Sequence, residues 1–293
     1  HMKVYFHSDD VCLTGESTKQ ILRCWSEGFL DGFSMLANRE LLSIAGKKLD
    51  EHGSTPVRLS VHLNLTDLKS CLTKSEIPLL VTETGNFSIS FLRALLIISI
   101  GGERKKKFLE QVYKEWDAQI QLVKHVVTSH DVTGLDSHNH LHMIPSLFQI
   151  ISKLADKHHI QRVRVPVEPL YVSSYKDFVR YFYYRNLVKC LVVKCLNLTS
   201  SAGQSEKIQR AMGILYSGNM FEVNVAKGLK VARKKRFESI EVIFHVGRCD
   251  EDNLKNKIAS ESAIRFFTSR KREDEYKAVQ NLIYERKGTD NNC

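Results

Sequence analysis

Between Asp136 and His142 the sequence reads Asp-Ser-His-Asn-His-Leu-His, so an aspartate and three of the chain's twelve histidines recur at every second position. Successive side chains of an extended strand point to opposite faces, and this spacing therefore predicts that Asp136, His138, His140 and His142 share one face. Four ionisable groups on one face of an otherwise apolar segment are costly to bury without a partner. Neutral imidazole and carboxylate are both good ligands for a divalent cation, which is the usual partner for such a set. A partly exposed polar strand end accounts for any one of these histidines, but the alternation favours a site.

The elements that must position these groups can be read from the surrounding pattern. Val4 to His7 reads as a buried strand ending in Ser8-Asp9-Asp10, followed by a helix over Ile21–Gly28 capped by Thr14 or Ser17. Gly32–Leu36 reads as a strand, Leu41–His52 as a helix and Val57–Leu65 as a strand with one polar face. This alternation predicts a parallel sheet or barrel with helical crossovers. Phe91–Ile100 is expected to be a core helix ended by Gly101-Gly102. A longer charged helix follows, from about Glu103 to His130, with Leu109, Val112, Trp116, Ile120 and Val123 as its packing stripe. Gly134 then leads into the histidine strand. Ser146–Lys157 reads as a helix and Ile160–Val165 as a strand. Further strands are expected at Gly213–Tyr216 and Ile240–His245, with a helix over Val223–Arg236 between them and a helical tail over Glu275–Tyr284.

Tyr175 to Asn197 is unusual, because Phe178, Tyr181, Phe182, Tyr183 and Tyr184 alternate with basic residues that mark no single polar stripe. It reads as a lid, a subunit contact or a membrane-surface element, or else as a helix wedged against the domain with snorkelling lysines. Ser200-Ser201-Ala202-Gly203-Gln204 reads as a mobile loop, and the last residues as a disordered tail.

Bulk properties bound the rest. The 293 residues are 43% hydrophobic and 26% charged, ordinary globular composition with enough apolar matter for a large core. His1-Met2 reads as an expression scar, and the chain is expected to lack a signal peptide because it enters at once into strand-like Lys3-Val4-Tyr5-Phe6. The apolar run at Phe91–Ile100 is too short to span a bilayer of ~30 Å. Seven scattered cysteines form no CxxC pair, which points to a reducing compartment and a cytoplasmic location. Net charge is +10, gathered in the runs 104–107, 233–236 and 270–272. Such runs can attract nucleic acid, an anionic membrane or an acidic glycan, yet each alone is usually a solvated helix face. No nucleic-acid-binding motif accompanies them, so no nucleic-acid partner is expected.

Polar groups also recur at the expected carboxyl ends of strands: Asp9-Asp10, His62, His138 with His140, Arg164 and His245. That end of a parallel sheet is where sites are assembled. One aspartate and two histidines on three strands make a three-ligand metal site with positions left open for water and substrate. From an extended segment, adjacent Asp9 and Asp10 cannot both point at one ion, so one ligates while the other acts as base or orients a ligand.

Several of these segments together resemble the YdjC-like family of carbohydrate deacetylases, which includes the chitooligosaccharide (chitin disaccharide) deacetylases. The matching segments are Ser8-Asp9-Asp10, Val61-His62-Leu63-Asn64-Leu65-Thr66, Thr84-Gly85-Asn86-Phe87, Glu115-Trp116-Asp117-Ala118-Gln119-Ile120, Leu135 through Pro145, Val163-Arg164-Val165-Pro166 and Phe244-His245. The resemblance implies a distorted (β/α) barrel of parallel strands, with the aromatic-basic segment 175–204 as an insertion or lid in a single domain over residues 3–288. It also implies hydrolysis of acetamido groups of N-acetylated sugars with one divalent metal ion. Asp10, His62 and His138 would be its ligands, Asp9 the base and His245 a general acid. Two departures stand out: Val11-Cys12 follow the aspartate pair where the family usually has Phe-Gly, and Val246 follows His245 where it commonly has Pro.

On this reading Arg164 holds Asp9, Asp136 supports His138, and His245 or His140 protonates the leaving amine. Zinc suits the Asp-His-His set, and the resemblance also permits magnesium. The expected partner is an N-acetylated sugar or glycan; peripheral membrane contact and a homodimer stay open. Two other readings are a metal phosphoesterase, drawing on the basic runs, and a catalytically inactive glycan-binding protein, drawing on the two departures.

Overall fold

The computed structural model describes residues 2–199, 207–255, 257–258 and 260–288. Seven strands pair in chain order, all parallel: β1 (Lys3–Val11), β2 (Gly32–Met35), β3 (Arg58–Leu63), β4 (Val132–Ser137), β5 (Arg162–Pro166), β6 (Ile208–Met212) and β7 (Ser239–Phe244). β7 closes on β1 through the pairs His7–Ile243 and Ser8–Phe244, completing a barrel. The expected α/β barrel is therefore the observed fold. Around it run α1 (Gly15–Ser26), α2 (Arg39–Asp50), α3 (Phe91–Ile100), α4 (Gly102–Val126), α5 (Pro145–Lys157), α6 (Tyr181–Thr199), α7 (Glu222–Lys234), α8 (Glu261–Thr268) and α9 (Lys271–Gly288).

Local chemistry explains the helix starts. Thr14 and Ser17 cap α1 reciprocally, Asn38 and Ser90 cap α2 and α3, and Pro145 opens α5 where a missing N–H costs nothing. The outward strand residues Phe6, Phe33, Val61, Leu135, Val163 and Val242 are buried beneath the helices, whose own apolar stripes include Trp25, Trp116 and Phe148. The barrel axis is different. Arg58 on β3 donates to Gln209 on β6, Ser34 on β2 to Asp136 on β4, and Arg164 on β5 to Asp9 on β1. None of these strand pairs are neighbours, so the bonds cross the interior, and the barrel is filled by ions and amides. Close strand approach fits small residues at two points: a Cβ on Gly32 would lie 2.2 Å from the Arg58 carbonyl oxygen, and one on Gly134 2.2 Å from Ser60 Oγ.

Four expectations need correction. The histidine strand stops at Ser137, and His138–Met143 is a 3-10 turn with Asn139 and His140 at φ 56° and 55°. The four polar residues thus do not share a strand face. Gly213–Tyr216 is not a strand; β6 ends at Met212, and the next turn is fixed by the Glu168 carboxylate, which accepts the Gly213 and Leu215 N–H groups. α3 is only half a core helix, because Ala94 and Ile97 are buried while Leu92, Leu96 and Ile100 are exposed. The aromatic segment breaks into a 3-10 turn at Tyr175–Val179 and then α6, which together form the connection from β5 to β6. The loop expected at Ser200–Gln204 and the tail 289–293 lie outside the described residues. Among the described residues no helix is long and apolar enough to cross a membrane.

Candidate active site

Asp9 and Asp10 interrupt the pairing of β1 near its end, where the register against β2 shifts between Ser8 and Val11 and Asp10 takes φ 68°. Regular pleating would send the two carboxylates to opposite faces. The bulge and the left-handed residue, a conformation aspartate tolerates better than most, bury both at the same end of the barrel. The constraint expected for an extended segment does not apply here, because the segment is not extended.

Asp10 Oδ1 lies 2.9 Å from His138 Nδ1 and 3.5 Å from His62 Nε2, and those two ring nitrogens are 3.4 Å apart. The outer nitrogen of each ring is already committed. His62 Nδ1 is 2.6 Å from Asp136 Oδ1, and His138 Nε2 is 3.1 Å from Asp67 Oδ2. With protons on those outer nitrogens, Nε2 of His62 and Nδ1 of His138 direct lone pairs at Asp10 Oδ1, a buried oxygen without a hydrogen-bond partner among the described residues. Three converging lone-pair atoms repel unless a cation or protons sit among them. This donor set fits a divalent ion, and three protein ligands leave coordination positions open.

Protons are the alternative occupants. Burial opposes a charged imidazole at His62, yet the carboxylates of Asp9, Asp136 and Asp10 outweigh it and raise its pKa to about 9. At His138 burial is likewise outweighed, by Asp10 and Asp67, and the pKa rises to about 10. Asp10 is held well below the usual carboxylate range, since the two imidazoles overcome its desolvation.

Beneath this cluster lies an ionic layer. Arg164, 2% exposed, reaches Asp9 Oδ2 at 2.8 Å, Asp136 Oδ2 at 2.9 Å and Glu241 Oε1 at 2.7 Å. Burial disfavours its charge, but three carboxylates hold the guanidinium firmly protonated. Ser34 Oγ donates to Asp136 Oδ2 at 2.5 Å and lies 2.7 Å from His7 Nε2. Burial pushes His7 down to about 4, so it is neutral and gives its Nε2 proton to Ser34. Asp9 Oδ1 has no hydrogen-bond partner among the described residues.

The remaining residues divide. His245, following β7, places Nε2 3.8 Å from Asp10 Oδ2, with its ring edge-on to Phe266; burial lowers its pKa against the pull of Asp10, Asp9 and Glu275. His140 is half-buried in the turn, its Nδ1 without a partner among the described residues, and burial holds it well below 6.5. His142 leaves the site altogether. It bridges Ser137 Oγ at 2.6 Å and the Arg164 carbonyl at 2.7 Å, fixing the turn to β5. Asp136 was expected behind His138 but stands behind His62.

Sequence reasoning missed Asp67, Ser34, His7 and Glu241. Asp67 carried the clearest signal, following Asn64-Leu65-Thr66 directly after β3. Its loop is clamped from α4: Gln119 bonds both the N–H and the carbonyl of Asn64 at 2.9 Å, and Glu115 accepts the Cys71 and Leu72 N–H groups. The Glu115–Gln119 segment thus serves the site by holding the loop that holds Asp67.

The chain is similar to several known proteins. A carbohydrate deacetylase from Halalkalibacterium halodurans is 27% identical over 161 residues, 54% of this chain and 62% of that protein. One from Oceanobacillus iheyensis is 28% identical over 178 residues, 60% of this chain and 68% of that protein. In fold, the chain resembles a crystal structure from Enterococcus faecalis of a protein provisionally named for cellobiose-phosphate cleavage, with TM-score 0.66, 21% identity and coverage of 98% of this chain and 95% of that one. The profile of the YdjC-like protein family matches residues 3–282, and the chain belongs to that family.

Proposed function

We propose that this protein is a metal-dependent hydrolase that removes acetyl groups from N-acetylated sugars. Two relatives bear the name carbohydrate deacetylase. On this chain the reading rests on one observation: Asp9, with Oδ1 buried and unpartnered among the described residues, stands beside the Asp10–His62–His138 cluster. Asp10 Oδ1, His62 Nε2 and His138 Nδ1 would be the ligands; zinc suits them on donor chemistry and magnesium is the alternative. Held by these residues, a divalent ion would supply Lewis acidity toward the acetyl carbonyl and would lower the pKa of water toward roughly 7.

The other steps belong to the protein's own groups. Arg164 fixes Asp9 through Oδ2 and leaves Oδ1 open to take a proton from the attacking water. Glu241 and Asp136 keep that guanidinium in place. The amine must depart neutral, and His245, with Nε2 3.8 Å from Asp10 Oδ2, is placed to pass it the proton that Asp9 takes from the water. His140, half-exposed beside the cluster, is a hydrogen-bonding group for the sugar. We place these residues in one catalytic domain over residues 3–288.

Acetate release from a panel of N-acetylated mono- and disaccharides, with and without added zinc or magnesium, tests the reading. Metal-dependent acetate release supports it. Phosphate release from sugar phosphates with no acetate would point to a phosphoesterase, and saturable sugar binding without turnover to a binding protein.

A further inference from the structure

Residues 167–199, the described part of the connection that leaves β5 for β6, have apolar surface uncovered. Eleven large apolar side chains are exposed among the described residues, and six lie here: Leu170, Tyr175, Tyr184, Val188, Leu191 and Val192. Val188 is 59% exposed, although α6 is buried on its opposite side through Tyr183, Asn186, Cys190 and Val193. The helix is thus apolar on two sides, and the barrel covers one.

Charge on the same connection is sorted. The two acids among its described residues, Glu168 and Asp177, are 2% and 4% exposed. Glu168 is taken up by the Cys190 thiol and two backbone N–H groups, and Asp177 by the Ser174 N–H and the Tyr216 hydroxyl, with Arg180 at 3.9 Å on its outer side. Lys176, Arg180, Arg185 and Lys189 are exposed. Among the described residues the outer surface therefore offers apolar groups and positive charge, with Glu168 and Asp177 turned inward. A two-fold contact with a second copy would set like charges against each other. An anionic bilayer matches both properties, since cations meet headgroups while apolar side chains enter the interface.

The surface sits at the working end of the barrel. Asn186 Nδ2 donates to the carbonyls of Leu215 and Ser217 just past β6, and Cys190 bonds Glu168 just past β5. α6 also packs against the 138–143 turn that carries His138 and His140.

We propose that the outer face of the β5–β6 connection docks the mouth of the barrel onto an anionic membrane surface. The contact is peripheral, made by the outer side of one helix and its preceding turn, and it weakens as salt screens the cations.

Flotation of the purified chain with phosphatidylcholine vesicles, with or without phosphatidylglycerol, tests this. The chain should float with the anionic vesicles, stay behind with the neutral ones, and be released by added salt. Val188→Ser with Leu191→Ser should weaken partitioning by about tenfold, and Arg185→Ser with Lys189→Ser by about fivefold per charge. Thermal melts should be unchanged, because all four side chains are exposed. Equal flotation of wild type and variants, or no preference for anionic lipid, would overturn the proposal. So would a dimer in sedimentation that the same substitutions dissolve, in the absence of any flotation. None of these readouts depends on deacetylation.

Discussion

His62 Nδ1 lies 2.6 Å from Asp136 Oδ1, and this one contact decides which nitrogen His62 turns toward Asp10. A carboxylate behind an imidazole fixes its proton on the near nitrogen and leaves the far one as a ligand. Asp136→Asn would present an amide that can donate instead, moving the ring proton to Nε2. Metal affinity, measured by chelator competition, should fall about 10–100-fold. Asp67→Ala should act similarly through His138, whose Nε2 is 3.1 Å from Asp67. Unchanged affinity in both variants would remove these carboxylates from the site.

Asp9 and the ligands should separate cleanly. Asp9→Asn keeps the side chain's shape and removes its capacity as a base, so turnover should drop by about 10²–10⁴-fold with metal content retained. His62→Ala and His138→Ala should lose the metal itself. Elemental analysis beside acetate release distinguishes the two classes, and an active Asp9→Asn protein would refute the base assignment.

Arg164 is buried against three carboxylates, and removing it leaves them facing one another. Arg164→Met should destabilise the fold by about 3–5 kcal/mol in urea unfolding. The pH dependence should also change sign. In the wild type, burial opposes the Asp136 carboxylate, but Arg164 and His62 outweigh it and depress its pKa. That stability is present above the unfolded pKa and lost as pH falls. Without Arg164 the crowded carboxylates are raised, so the variant should lose stability as pH rises.

Metal-free protein should respond to pH in the opposite direction from ordinary acid unfolding. His62 and His138 are raised to about 9 and about 10 from an unfolded value of 6.5. The stability they contribute is complete below 6.5 and is lost as pH climbs through the folded values. Melting temperatures of chelator-treated protein should fall across that window. Zinc added near neutral pH should displace up to about two protons, read in a weakly buffered indicator titration, and should flatten the decline.

The barrel was legible because strand and helix patterns alternate and because polar residues gather at or just past the carboxyl ends of β1, β3, β4 and β7. Asp9, Asp10, His62, His138 and Arg164 were all singled out before any geometry. What failed was the extrapolation of an alternating pattern beyond the strand that began it. Nothing in the spacing of His138, His140 and His142 reveals that Ser137 Oγ captures His142 and folds the segment into a turn. Ser34, His7 and Glu241 were invisible for another reason. Each is one polar residue in an otherwise ordinary strand, and its meaning arises only when the closed barrel brings β1, β2, β5 and β7 around a common axis.

The left-handed backbone at Asp10 has a consequence for how this protein can change. A β-carbon in that conformation costs about 1–2 kcal/mol, which glycine would not incur. Asp10→Gly should therefore melt no lower than Asp10→Ala and bind no metal. The strain of the backbone at Asp10 thus opposes the stability that its pairing with His62 and His138 contributes, and glycine would relieve the one only by giving up the other.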